Sequence, residues 1–117
     1  MTNTLNWVIE TNGSGLGVAH LTGRLDIASA ADAKRAFGEA IAEGNPRLIV
    51  DLAGVSFIDS SGLSTLVSGL RTARQAGGDL RIAAAGSQPA ALFALTSLDQ
   101  VFRLYPSVDE ATRSYEE

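Results

Sequence analysis

The 117-residue chain has no cysteine and a single histidine, His20. Zinc sites built from thiolates and imidazoles therefore lack their ligands, and no disulfide framework exists. His20 lies inside a strand pattern, and Ser60 and Ser61 are not set in a G-x-S-x-G elbow, so no serine-hydrolase triad is expected. Lysine is nearly missing too. Lys34 is the only one, arginines are scattered, and net charge is −4, which excludes the clustered basic footprint of a nucleic-acid or anionic-membrane binder. No stretch of eighteen apolar residues is present to span a membrane, and the opening residues MTNTLNWVIE lack a basic flank with an apolar core. Cytoplasmic residence is the expectation. Asp26, Asp51 and Asp59 offer oxygen ligands for magnesium, but phosphoryl transfer to aspartate usually needs a nearby lysine, and Lys34 belongs to another element. The chain reads as no enzyme, with no metal and no cofactor.

What is present is 45% hydrophobic and 19% charged, enough for one globular domain, residues 1–117, without repeats or linkers. Its organising stretch is 47–70, RLIVDLAGVSFIDSSGLSTLVSGL. Leu48-Ile49-Val50 has the apolar, β-branched look of a strand buried on both faces. Leu63, Leu66, Val67 and Leu70 recur as the buried stripe of a helix. Between them Asp59-Ser60-Ser61-Gly62 forms a polar joint where a strand ends and a helix begins, a place whose free N–H groups favour an anion. Two readings of the joint are compatible. Asp59 and the serines are ordinary N-caps, and Ser60 is also placed to accept a phosphoryl group adding roughly −1.5 to −2 charge.

Trp7-Val8-Ile9 and 16–21 read as strands joined by the Asn12-Gly13 turn region, and no helix follows Gly13, Gly15 and Gly17 as a nucleotide loop would require. The segment 21–26, LTGRLD, ends a strand in a second polar joint. Ser29 with Asp32 predicts a capped helix carrying Phe37, Ala40 and Ile41, stopped by Gly44-Asn45-Pro46. Gly77-Gly78 closes the central helix, and 80–85 is a strand. Ser87 is expected to cap a third helix with Pro89 in its first turn and Leu92, Leu95 and Phe93 inward. Then 102–104 forms a last strand, and Ser107 with Glu110 opens a final helix bearing Tyr115 before the acidic end. The order β-β-α-β-α-β-α-β-α predicts an α/β fold, a small mostly parallel sheet with an antiparallel edge strand, flanked by about four helices. Sites in such sheets gather at strand carboxyl ends, so Asp26 and the 59–61 joint are expected on one face.

The segment 55–63, VSFIDSSGL, closely resembles the signature of the STAS domain of bacterial anti-sigma factor antagonists, and 21–26 resembles that family's L-x-G-E-L-D motif. The resemblance spans essentially the whole chain. It implies a partner switch in which Ser60 is phosphorylated by an anti-sigma factor that is also a serine kinase. Unphosphorylated, such a protein binds the anti-sigma factor and frees a sigma factor; phosphorylated, it lets go, and a serine phosphatase resets it. Asp26 and Asp59 would then orient the hydroxyl or contact the partner, Gly62 would allow close backbone approach, and Ser61 would serve as a cap. Leu63 stays open between interface anchor and core. Arg24 stands where the family usually has glutamate, placing a cation near the switch. The other roles the resemblance implies are an accessory subunit of a lipid transporter and a scaffold of stress-signalling complexes; binding of a small ligand at the same helix terminus is a third reading.

Overall fold

A computed structural model describes residues 5–116; the first residues of the N-terminal stretch discussed above and the last acidic residue lie outside it. Strand β1 (Asn6–Thr11) turns back through Asn12, whose Oδ1 accepts the Ser14 N–H at 2.9 Å, into β2 (Leu16–Leu25). There follow α1 (Ala30–Ala42), β3 (Arg47–Ile58), α2 (Ser60–Gln75), β4 (Asp79–Ala83), α3 (Ser87–Leu95), a 3-10 turn (Leu98–Gln100), β5 (Leu104–Tyr105) and α4 (Val108–Glu116). The strands lie side by side in chain order; β1 pairs with β2 antiparallel and every later pair is parallel. The expected α/β architecture with its antiparallel edge is the one observed.

Alternation along the strands makes two unequal cores. Leu48, Val50 and Leu52 of β3, with Leu80 and Ile82 of β4, point to the face that meets Phe37 of α1, Leu66 and Leu70 of α2 and Phe93 of α3. Ile49 and Ala83 point the other way, joining Leu16 and Ala111 under α4. Among the described residues part of this second face stays uncovered, and on its β1 side Val8 is 64% exposed. Tyr115 closes the covered part, its hydroxyl 2.8 Å from the carbonyls of both Leu48 and Asp79 while Arg81 stacks 3.9 Å over the ring.

Several details differ from expectation, β4 among them, which ends at Ala83 rather than Ala85. Ser29 makes no side-chain cap on α1; it is buried, with its hydroxyl donating to the Arg24 carbonyl at 2.9 Å and accepting from the Asp26 N–H at 3.1 Å. Ser87 is the first residue of α3, because Gly86 takes the N-cap position in extended conformation. Leu95 is 83% exposed, since Pro89 and Phe93, one turn apart, face the sheet and Leu95 lies roughly 200° around the helix from Phe93. The last strand begins at Leu104, because Phe102 instead turns its ring edge-on to Phe93, 5.4 Å between centroids.

Candidate functional site

The carboxyl ends of β2 and β3 lie side by side, with Leu25 paired to Ile58. Asp59 is thus delivered to the foot of α2 beside the loop that follows β2. It is the N-cap, in extended conformation, with Oδ1 accepting the Gly62 N–H at 2.8 Å. Its other oxygen accepts the Ile27 N–H at 3.1 Å, so one carboxylate both caps α2 and pins the β2–α1 loop. Asp26 is equally engaged. Its Oδ1 accepts the Ala28 N–H at 3.1 Å and its Oδ2 meets Arg24 Nε at 3.3 Å. Arg24 also lies over Phe57, its Cζ 4.4 Å from the ring centroid, so this cation is tied to Asp26 and to β3.

These contacts give both aspartates structural duties. Neither carboxylate bonds the Ser60 hydroxyl, which stands exposed in the first turn of α2 with no partner among the described residues. Ser61, expected as a cap, is the second helical residue and caps nothing; Asp59 holds that position. Leu63 belongs to the core, 6% exposed among the helix-face residues, because the first buried position of the α2 stripe points at the sheet. Gly62 does permit a close approach: a Cβ there would overlap the Leu25 carbonyl oxygen and lie 2.7 Å from its carbon. The joint is therefore a mount, held by Asp59 and by the close approach of Gly62 to Leu25, that presents the free Ser60 hydroxyl at the N-terminus of α2.

Lys34 is not remote from this joint. It forms one wall of a groove of about 660 Å³ between α1 and α2, with Ser60 and Ser61 at one end and Arg71 at the other. Asp51, by contrast, is held away by His20, whose Nδ1 lies 2.7 Å from Asp51 Oδ2 and whose Nε2 lies 2.9 Å from Glu10 Oε1. Those two carboxylates, Asp51 foremost, raise the histidine pKa above its usual 6.5. Among the described residues no three acidic, histidine or cysteine side chains converge as metal ligands.

The STAS domain family matches residues 6–111. The chain belongs to the STAS domain family. Among its relatives, the anti-sigma-F factor antagonist RsfB of Mycobacterium tuberculosis is 31% identical over 100 residues, spanning 84% of this chain and 80% of that one. An anti-sigma factor antagonist from Mycobacterium paratuberculosis superposes with a TM-score of 0.86 at 28% identity, covering 97% of this chain and 95% of that chain. The Bacillus cell fate determinant SpoIIAA in its phosphorylated form shares the fold, with a TM-score of 0.75 at 19% identity over 94% and 99% of the two chains. No helix of the described residues is long and apolar enough to cross a membrane.

Two residues of this STAS joint escaped the sequence reading. Gln88 of α3 grips the last residue of β3 at both backbone groups: the Ile58 N–H donates to Oε1 at 2.9 Å and Nε2 donates to the Ile58 carbonyl at 2.8 Å. Its long-range partner leaves no local pattern. Ile27, 77% exposed, is an apolar side chain on the loop whose backbone the Asp59 carboxylate pins. An isoleucine just after a polar strand end was its only signal.

Proposed function

We propose that the chain is an anti-sigma factor antagonist whose binding is switched by phosphorylation of Ser60. In its unmodified form it binds an anti-sigma factor with serine kinase activity and so releases a sigma factor, in the cytoplasm where transcription takes place. The kinase supplies ATP; Ser60 Oγ attacks the γ-phosphorus, ADP leaves, and the hydroxyl proton passes to a base of the kinase. A serine phosphatase returns the hydroxyl by hydrolysis, releasing inorganic phosphate.

The observation that carries this reading is the exposed, unpartnered Ser60 hydroxyl on a joint whose neighbouring carboxylates are fully occupied in holding it still. The names borne by the relatives support the partner class. A phosphoryl group here adds roughly −1.5 to −2 charge beside Asp59 and Asp26, at a surface that must lose water on binding. Ile27 and the first turn of α2 form the contact, and like charge placed there costs several kcal/mol. The test is Ser60→Ala against Ser60→Asp in a binding assay with the anti-sigma kinase. Ser60→Ala is expected to bind as the unmodified protein does and to take no phosphate; Ser60→Asp is expected to bind far more weakly. Tight binding by Ser60→Asp, or phosphate appearing on a residue other than Ser60, overturns the assignment.

A further inference from the structure

We propose that the groove between α1 and α2 receives an acidic segment of the anti-sigma partner, held by Lys34 and Arg71, with Ser60 at its open end as the gate. The inference rests on the switch reading of Ser60 and adds the chemistry of what that switch controls. Its first ground is charge. The chain carries 13 carboxylates against 9 cations, yet the groove wall holds both Lys34 and Arg71 and no carboxylate at all. Neither cation pairs with an acidic side chain among the described residues, whereas Arg24, Arg35, Arg74 and Arg81 all do.

The second ground is unspent hydrogen-bonding capacity. Ser60, Ser64 and Ser68 recur every four residues and so form one ridge along α2, which Ser61 flanks, and all four line the groove. Their hydroxyls donate to no group of the chain among the described residues, while Thr65 in the same wall spends its hydroxyl on the Ala30 and Ser61 carbonyls. Cations with free hydroxyls between them suit a segment bearing carboxylates. The third ground is extent. From Ser60 to Arg71 the helix rises about 16 Å, room for several residues of a partner. At Val67 and Arg71 the groove meets a second depression of about 420 Å³ that includes Leu70 and Val101, an apolar shelf beside the charged channel.

Ser60 therefore stands at the mouth of a cation-lined channel. Unmodified, it lets carboxylates approach Lys34 and Arg71; phosphorylated, it places a like charge at the entrance and partly neutralises the field that attracts them.

The experiment measures association rate and Kd for the anti-sigma kinases of the source organism, each produced singly, at two ionic strengths. The variants are Lys34→Glu, Arg71→Glu, their Gln counterparts, Ser60→Asp, and Arg113→Glu. Arg113 is exposed on α4, across the sheet from the groove, and its reversal changes net charge by the same amount. Lys34→Glu and Arg71→Glu are expected each to weaken binding about tenfold, mainly through association, and to flatten its salt dependence. The Gln variants should do so by a smaller factor with unchanged Tm, which separates lost attraction from lost fold. Arg113→Glu should stay within about twofold of the unmodified chain. If both groove reversals bind as Arg113→Glu does while Ser60→Asp still releases the partner, the groove inference is overturned and the switch stands. If Ser60→Asp binds as tightly as the unmodified chain, the switch reading falls, and this inference with it.

Discussion

Replacing Gly62 by alanine tests the mount on which Ser60 sits. The added Cβ would overlap the Leu25 carbonyl oxygen and stand 2.9 Å from Leu25 Cγ. Nothing there can yield easily: Leu25 is fully buried, paired with Ile58, and its carbonyl accepts the Asp59 N–H at 3.3 Å. Overpacking against backbone belongs at the top of its usual range, about 3 kcal/mol. Alanine regains up to about 1 kcal/mol of helix propensity, leaving a net loss of about 2 kcal/mol. At about 4 °C per kcal/mol for a domain of this size, Tm falls by roughly 8 °C. Gly69→Ala is the mild comparison, because its Cβ meets movable side-chain atoms, Leu80 Cδ1 at 2.8 Å and Phe37 Cδ2 at 3.3 Å. Gly78→Ala is the harsh one, since its Cβ would overlap the Pro46 carbonyl oxygen at the opposite end of the sheet. Urea denaturation gives the stabilities, and phosphorylation of Ser60 by the partner kinase reports the mount. Gly62→Ala should lose stability comparably to Gly78→Ala but alone lose phosphorylation rate. A Gly62→Ala protein as stable as the parent, or one phosphorylated as fast as Gly78→Ala, refutes the reasoning.

Asp59→Ala removes the α2 cap and frees the Ile27 loop, and should cost about 2 kcal/mol in denaturation, with Asp59→Asn near half of that because the amide oxygen still caps. His20 gives a pH dependence of definite sign. Its folded pKa is raised by Asp51 and Glu10, so its contribution is complete below 6.5 and is lost as pH rises through the higher folded value. Unfolding free energy should therefore decline on the alkaline side of 6.5 and flatten in His20→Gln, with the imidazole titration followed by NMR. Tyr115→Phe removes a hydroxyl shared between the Leu48 and Asp79 carbonyls and should cost about 1 kcal/mol, while partner binding stays unchanged because α4 lies across the sheet from Ser60.

The fold was legible where periodicity and punctuation agreed. The 63–70 stripe and the Phe37, Ala40 and Ile41 face appear as buried helix surfaces, and Gly44-Asn45-Pro46 ends α1. Reading failed where a local pattern competed with a tertiary partner. Ser29 resembles a cap by spacing, but the tight loop after β2 draws its hydroxyl to the Arg24 carbonyl. In α3, apolar residues run all round the helix and hide which side meets the sheet, so the pattern puts Leu95 inward whereas the structure exposes it. At the site, strand order was enough to bring Asp26 and Asp59 to one face, as the bond from Ile27 to Asp59 shows. Their occupation by backbone N–H groups, the grip of Gln88, and the arrival of Lys34 beside Ser60 all depend on contacts between separate elements. No spacing within one element encodes them.

The most direct measurement is the affinity of the anti-sigma kinase for the unmodified chain and for the same chain carrying phosphate on Ser60 alone, verified by intact mass and peptide mapping. The switch account predicts tight binding by the first and binding at least about a hundredfold weaker by the second, a difference of about 2.8 kcal/mol. Equal affinities, or tighter binding by the phosphorylated chain, would contradict it.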